Sequence, residues 1–114
     1  MPSPGTVTTT LSGIVLLDKP LGLSSHSATQ RVKRLFGASR AGHVGSLDPL
    51  ASGMLPVCIG EATKIAGQIV EGAKLYAFDI LLGARTSTGD AEGDVVERAS
   101  VPELTQARLD AVLQ

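Results

Sequence analysis

The segment Gly42–Gly53 holds the residue types best suited to chemistry in this sequence. Its carboxylate, Asp48, lies between Leu47 and Pro49, and glycines on either side permit a close approach between backbone and ligand. An aspartate in such a segment is either a nucleophile, which attacks through a carboxylate oxygen, or a turn-forming residue of the kind that Asp-Pro pairs often supply. The residue types alone leave both interpretations open.

Three other patterns imitate known sites, and each lacks an essential residue. The segment Gly37–His43 has the spacing of a phosphate-binding loop, but His43 and Val44 stand where Lys and Ser/Thr are needed. Asp90 begins an alternation of acidic residues resembling a calcium loop, yet the glycine falls at the fourth position instead of the sixth, so we expect a turn. Ser25 lies next to a serine and a histidine without the Gly-x-Ser-x-Gly elbow of a hydrolase.

Composition restricts the class of protein further. With 114 residues, of which 43% are hydrophobic and 18% charged, the chain has the size and balance of one folded domain. Cys58 is the single cysteine, which excludes an internal disulfide and a zinc ribbon. The apolar run near the N-terminus is too short for a signal peptide or a membrane span. These features predict a soluble, cytoplasmic protein that needs no metal.

The net charge of −1 conceals an asymmetry between the two parts of the chain. Residues 1–70 hold six Lys or Arg against three acidic residues, whereas residues 71–114 hold four against eight. No acidic residue lies between Asp18 and Asp48, where Arg31, Lys33 and Arg34 cluster. This tract is either a basic face that binds nucleic acid or the solvated face of a helix.

Periodicity in the first half predicts a strand, a helix and a long loop. The apolar run Ile14–Leu17 predicts a strand that ends at Lys19-Pro20. Ser25 is expected to cap a helix that ends at Gly37. Its apolar positions recur with helical spacing and form the expected packed face: Ala28, Val32, Leu35 and Phe36. From Gly37 to Gly53 almost no periodicity is present, and the length of this loop is typical of a functional segment.

The second half predicts a further mixture of strands and helices. We expect a short strand at Leu55–Ile59, an amphipathic helix at Ala62–Val70, and a strand from Tyr76 to Leu82 paired with Asp94–Arg98. Thr105 is expected to cap a helix that continues to the last residue without a closing signal, as though it were cut in mid-course. The mixture predicts an α+β fold. Residues 1–12, rich in Thr, Pro and Ser, are expected to form a flexible leader.

The segment Gly42–Gly53, taken with four flanking motifs, resembles the TruB family of tRNA pseudouridine(55) synthases. The flanking motifs occur in the family order: Lys19-Pro20, Gly60–Lys64, Lys74–Tyr76, and Arg85–Asp90 followed by Gly93. The resemblance covers nearly the whole chain from Gly13 onward. It implies a pseudouridine-synthase-type fold, with a mixed, mainly antiparallel sheet flanked by helices, of which residues 13–114 form only the N-terminal part of the catalytic domain.

The resemblance also implies roles for individual residues. Asp48 matches the catalytic nucleophile, and Tyr76 matches the residue that stacks on the target base and assists removal of the C5 proton. His43 matches the histidine that enters the T-loop where the flipped uridine was. Lys64 and Asp90 match positions that line the site. Arg40 and Lys19 complete the expected RNA-binding set, and Lys19 with Pro20 is also expected to support the fold beside the site.

By the same resemblance, the partner is the T-arm stem-loop of tRNA and no cofactor is required. Family members are well over twice this length, and their later segment supplies the Arg that pairs with the nucleophile. Three hypotheses therefore stay open from the sequence. The chain is part of a working tRNA pseudouridine synthase, it is a catalytically silent RNA-binding piece that needs its missing C-terminal segment, or it belongs with the guide-RNA-dependent relatives of the dyskerin type.

Overall fold

The computed structural model describes residues 11–70 and 72–114 and shows an α+β protein in which all strand pairs are antiparallel. The chain divides after Lys74 into two compact units. Most of the predicted leader, residues 1–12, lies outside the described residues. Within the described ranges, no helix has the length and apolar character to cross a membrane. The α+β class predicted from periodicity is confirmed.

The first unit is a three-stranded sheet covered by one long helix. Its described elements follow in this order along the chain: β1 (Gly13–Lys19), α1 (Ser25–Phe36), β2 (Ala41–His43), β3 (Gly53–Ile59), a 3-10 helix (Gly60–Ile65) and α2 (Ala66–Val70). The sheet order is β1-β3-β2, with Lys19 opposite Gly53 and His43 opposite Val57. This order places the connection between β2 and β3 next to the C-terminal end of β1.

Burial follows the alternation of the strands and the periodicity of α1. In β1, Ile14 and Leu16 are exposed, while Val15 and Leu17 pack against the core. The buried core joins residues of α1, of β3 and of the segment after α1: Ala28, Val32, Ala38, Leu55, Val57 and Ile59. Removal of this apolar surface from water holds α1 against the sheet. The α1 residues that contact the loop described below are therefore fixed by the core.

The ends of α1 differ in one detail from the sequence-based expectation. The N-cap is Ser24, whose hydroxyl accepts a hydrogen bond from the Ser27 N–H, whereas Ser25 is the first helical residue and is buried. Gly37 ends the helix as predicted, in the left-handed conformation with φ of 61°. The prediction that Leu35 and Phe36 pack against the core is wrong, because these residues are 82% and 37% exposed and neither belongs to the core cluster.

Two further predictions for the first unit need correction. The segment from Gly37 to Gly53 is not entirely loop, because Ala41–His43 forms strand β2 against β3. The single helix expected over Ala62–Val70 is a 3-10 helix followed by one short α-helix. In both cases backbone hydrogen bonding decides the local structure, which side-chain periodicity does not report.

The second unit consists of a small hairpin and one helix. Its described elements are β4 (Ala84–Thr86), β5 (Val95–Arg98) and α3 (Gln106–Leu113), with Thr105 as the predicted N-cap. The strand expected from Tyr76 to Leu82 is absent, and β5 pairs with β4 instead. Every described residue of this unit is at least partly exposed. Alternation in sequence does not produce a strand unless a partner edge accepts its backbone hydrogen bonds.

Candidate functional site

Asp48 lies on the Asp48 loop, residues 44–52, which connects β2 to β3. The loop begins at buried Val44, whose N–H donates to the Pro56 carbonyl at 2.9 Å. It is also fastened to the β1–α1 connection, because the Gly22 N–H donates to the Pro49 carbonyl at 2.7 Å. The loop is thus bound through its backbone on both sides of Asp48.

The side chain of Asp48 is exposed, and within the described residues its carboxylate forms no hydrogen bond or ion pair. Its own carbonyl accepts from the Ala51 N–H at 2.9 Å, which closes a turn after the Asp-Pro pair. The turn-forming interpretation is therefore correct for the backbone. The carboxylate oxygens, which a nucleophile requires, do not take part in that turn.

Ser25 fixes the residue immediately before Asp48. Its hydroxyl donates to the Leu47 carbonyl and accepts from the Leu47 N–H, both at 2.8 Å. Ser25 is only 4% exposed, so these bonds form where water competes poorly. The first turn of α1, itself held by the core, sets the position of Leu47 and hence of Asp48. This role of Ser25 was not predicted from the sequence. Its sign there is the adjacent Ser24, which supplies the cap and leaves the Ser25 hydroxyl available for another partner.

His43, at the end of β2, has a defined tautomer in its neutral form. Its Nδ1 lies 2.5 Å from the Gly45 carbonyl oxygen. Because a carbonyl oxygen only accepts, Nδ1 carries the proton and Nε2 is the remaining acceptor. Gly45 has φ of 72°, a left-handed conformation that favours glycine. The ring is half-buried and lies at the start of the Asp48 loop.

Lys19, at the end of β1, has a structural environment. It is fully buried, and its Nζ donates to the carbonyls of Pro20 and Leu23, at 2.9 and 2.6 Å. These bonds close the connection between β1 and α1, which is the segment that holds Pro49 through Gly22. The ammonium group therefore stabilises the support of the Asp48 loop, and the RNA contact expected of Lys19 stays a prediction.

Arg40 and Lys64 converge on one carboxylate, that of Glu61. The Arg40 Nη2 lies 3.0 Å from Glu61 Oε1, and Lys64 forms an ion pair with the other oxygen. The hydrogen bond from Lys64, followed by its charge, lowers the pKa of Glu61 from its ordinary value. All three side chains are more than half exposed. The two predicted RNA-binding cations thus form one surface group with Glu61. The role of Glu61 was not predicted from the sequence, where the i, i+3 spacing of Glu61 and Lys64 was the available sign.

Two predicted site residues, Tyr76 and Asp90, belong to the second unit. The Tyr76 side chain is 60% exposed and lies outside the strands of that unit. Asp90 Oδ1 accepts from Thr88 Oγ1 at 2.6 Å and from the Glu92 N–H at 2.9 Å. The hydrogen bond from Thr88 is the largest cause that lowers the pKa of Asp90. Asp90 organises its own turn, and the roles expected of both residues, stacking on the target base and lining the site, stay predictions.

No group of His, Cys, Asp or Glu side chains in the described ranges is arranged to hold a metal ion. The first unit offers an exposed carboxylate on a loop held by its backbone. A histidine of defined tautomer lies at one end of this loop, and the group of Arg40, Glu61 and Lys64 joins the residue before β2 to the segment after β3. Such an arrangement suits covalent attack on an electrophilic carbon of an anionic substrate.

Comparison with known proteins gives one family. Residues 33–114 match the family model described as TruB family pseudouridylate synthase (N terminal domain). The chain is 55% identical over 103 residues to tRNA pseudouridine synthase B of Marinomonas sp., which covers 90% of this chain and 33% of that protein. It is 53% identical over 104 residues to tRNA pseudouridine synthase B of Methylobacillus flagellatus, covering 91% of this chain and 34% of that protein.

A solved structure described as "Structure of H/ACA RNP bound to a substrate RNA containing 2'-deoxyuridine" contains a chain with a TM-score of 0.48 and 41% sequence identity, over 49% of this chain and 18% of that chain. The present chain spans about one third of the length of the curated relatives it matches. The match of the family model covers most of the chain and includes the Asp48 loop. The chain belongs to the TruB family of pseudouridylate synthases.

Proposed function

We propose that residues 13–114 form the N-terminal part of the catalytic domain of a tRNA pseudouridine(55) synthase, which isomerises the T-loop uridine of tRNA with Asp48 as the nucleophile. The observation that carries the proposal is the exposed Asp48 carboxylate on a loop fixed by Ser25 and Gly22. Membership of the TruB family and the names of the relatives support the reaction. A substrate of this kind also fits the cytoplasmic location predicted from the sequence.

The isomerisation conserves atoms and needs no external oxidant or reductant. The bond between C1′ of the ribose and N1 of the base breaks, and a bond between C1′ and C5 forms. A carboxylate oxygen of Asp48 bonds to C1′ or to C6 of the base and is released at the end, C5 loses its proton, and N1 gains one. A fixed aspartate can supply this covalent step without a metal or an organic cofactor.

Access to C1′ and C5 requires the uridine to leave its stack. In the proposed complex, His43 occupies the space left by the flipped base, and its Nε2 is the acceptor that faces RNA when the ring is neutral. Tyr76 stacks on the flipped base and assists loss of the C5 proton. Arg40 and Lys64 contact phosphate oxygens, and Asp90 lines the site.

A second candidate function is binding of the T-arm without turnover. The observation that favours it is length, because the relatives named tRNA pseudouridine synthase B are about three times as long as the part matched here. In this case the chain binds RNA and requires the remaining part of such a protein, supplied separately, to complete the reaction.

The deciding experiment is single-turnover release of tritium from a T-arm RNA labelled at uridine C5. The chain is compared with Asp48→Asn and with a matched control, Asp18→Asn, which removes an exposed carboxylate from β1. Release that disappears only in Asp48→Asn supports the synthase. Equal release from all three chains refutes the assignment of Asp48. Absence of release from all three, with the RNA still bound, refutes activity for this chain and supports the second function.

A further inference from the structure

A groove on the exposed side of α1 combines positive charge with hydrogen-bond donors and is used by no step of the proposed reaction. Its volume is about 400 Å³, and it is lined by Leu23, His26, Ser27, Gln30, Arg31 and Arg34. Leu23 and the aliphatic stems of the arginines supply apolar surface, while the remaining groups are polar. We call these six residues the α1 groove.

The arginines of the α1 groove are not neutralised by carboxylates. The guanidinium groups of Arg31 and Arg34 form no ion pair or hydrogen bond with any other described residue. By contrast, Arg40, Lys64 and Arg85 are all paired with glutamates. Helix α1 contains no acidic residue, so the usual pairs between positions i and i+4 are absent. The groove therefore keeps its full positive charge.

Helix spacing aligns these groups. His26, Gln30 and Arg34 follow one another at intervals of four residues, and Ser27 and Arg31 do the same on the neighbouring line of the helix. From His26 to Arg34 the rise is about 12 Å. A row of donors of this length suits an extended polyanion, whose successive phosphates each accept from a guanidinium or an amide.

The groove begins beside the proposed site. Ser25, which holds Leu47, directly precedes His26 in the first turn of α1. The contact between Ser25 and Leu47 therefore places the first turn of α1 beside the residue that precedes Asp48. Lys33 and Arg34 in the last turn also complement the helix dipole, but Arg31 lies before that turn and gains little from it.

We infer that the α1 groove binds the phosphodiester backbone of RNA next to the target loop, and so orients the T-arm on the Asp48 loop. The choice of RNA as the occupant rests on the proposed function, whereas the unneutralised charge and the groove are features of α1 itself. The groove contributes affinity and register and takes no part in bond making.

The test is the salt dependence of binding between this chain and a T-arm stem-loop RNA, measured by fluorescence anisotropy from 50 to 200 mM salt. Arg31→Gln with Arg34→Gln is compared with a control of equal charge change in the second unit, Arg98→Gln with Arg108→Gln. Loss of two phosphate contacts makes the fall of log affinity with log salt less steep by about 1.5. The loss of RNA affinity in the groove variant, relative to the unsubstituted chain, is therefore about eightfold larger at 50 mM salt than at 200 mM. The control keeps the slope of the unsubstituted chain.

A lysine variant, Arg31→Lys with Arg34→Lys, separates charge from geometry and guards against a folding defect. It retains the slope and loses part of the affinity, because lysine keeps the charge without the planar fork. Equal slopes for the groove variant and the unsubstituted chain, equal losses in the groove variant and the control, or no RNA binding by the unsubstituted chain each overturn the inference. If Asp48→Asn and the unsubstituted chain both release no tritium while the groove-dependent slope persists, the proposed activity fails and the inference stands.

Discussion

Replacement of Ser25 by alanine tests whether α1 fixes the Asp48 loop. The substitution removes both hydrogen bonds between the hydroxyl and the Leu47 backbone. A hydrogen bond contributes a net 0.5–1.5 kcal/mol, so the two together contribute about 1–3 kcal/mol to holding the loop. Leu47 is half-buried, and water replaces the lost partners only in part. We therefore expect the loop to open more often while the core stays folded.

The assay is hydrogen exchange at the Leu47 amide, with tritium release measured alongside. A decrease of about 1–3 kcal/mol in the free energy of local opening raises the exchange rate about 5- to 150-fold. In any chain that turns over RNA, kcat falls while KM changes little, because the affinity for RNA comes from other contacts. These two readouts distinguish displacement of the loop from general instability.

Thr29→Val is the matched control. Thr29 is a buried residue on the same helix, 2% exposed, and its hydroxyl donates to the Ser25 carbonyl at 2.8 Å but forms no hydrogen bond with the loop. Thr29→Val should cost about as much stability as the loss of one of the two hydrogen bonds between Ser25 and Leu47. The exchange rate of the Leu47 amide should stay as in the unsubstituted chain. Unchanged exchange in Ser25→Ala, or an equal increase in Thr29→Val, refutes the reasoning.

Two further predictions concern groups outside the Asp48 loop. The hydrogen bond from Lys64 is the main cause of the lowered pKa of Glu61. The contribution of this ion pair to folding stability is therefore present above the ordinary glutamate pKa and is lost as pH falls through the lowered pKa. Carboxyl carbon NMR should give a titration midpoint that moves up toward the ordinary value in Lys64→Gln, and an unchanged midpoint contradicts the pairing. Burial raises the pKa of the Cys58 thiol, so a thiol reagent should label Cys58 slowly in the folded chain and rapidly in denaturant, and equally fast labelling contradicts its burial.

Local patterns predicted the elements that the core holds. Strand β1, helix α1 with its stop at Gly37, and strand β3 each bury one face against the others, and burial is what hydrophobic periodicity records. The pattern from Tyr76 to Leu82 failed because its alternating residues have no core to enter in the second unit, where all described residues are at least partly exposed. An alternating pattern thus forms a strand only where a partner edge accepts its backbone hydrogen bonds, as β4 does for the predicted strand β5.

The sequence predicts the candidate site as a motif but not as an arrangement of contacts. Asp48 was a candidate from its residue type and its glycine-flanked segment, whereas His43 and Lys64 became candidates through the resemblance to the TruB family. The sequence did not show that Ser25 turns toward Leu47 while Ser24 provides the cap, since this depends on a contact 22 residues away. Similarly, the bridge from Arg40 to Glu61 spans 21 residues and forms only after β3 brings the two segments together.

The way in which the loop is held decides how well Asp48 can be tested. The loop is held by hydrogen bonds between the Ser25 hydroxyl and the Leu47 backbone and from the Gly22 N–H to the Pro49 carbonyl. Asp48 contributes its backbone carbonyl to the turn and keeps its carboxylate out of the contacts among the described residues. Replacement by asparagine therefore removes one carboxylate oxygen and the negative charge without removing any bond that positions the loop. Loss of turnover in Asp48→Asn, with Leu47 exchange unchanged, then reports chemistry at the carboxylate and not a displaced loop.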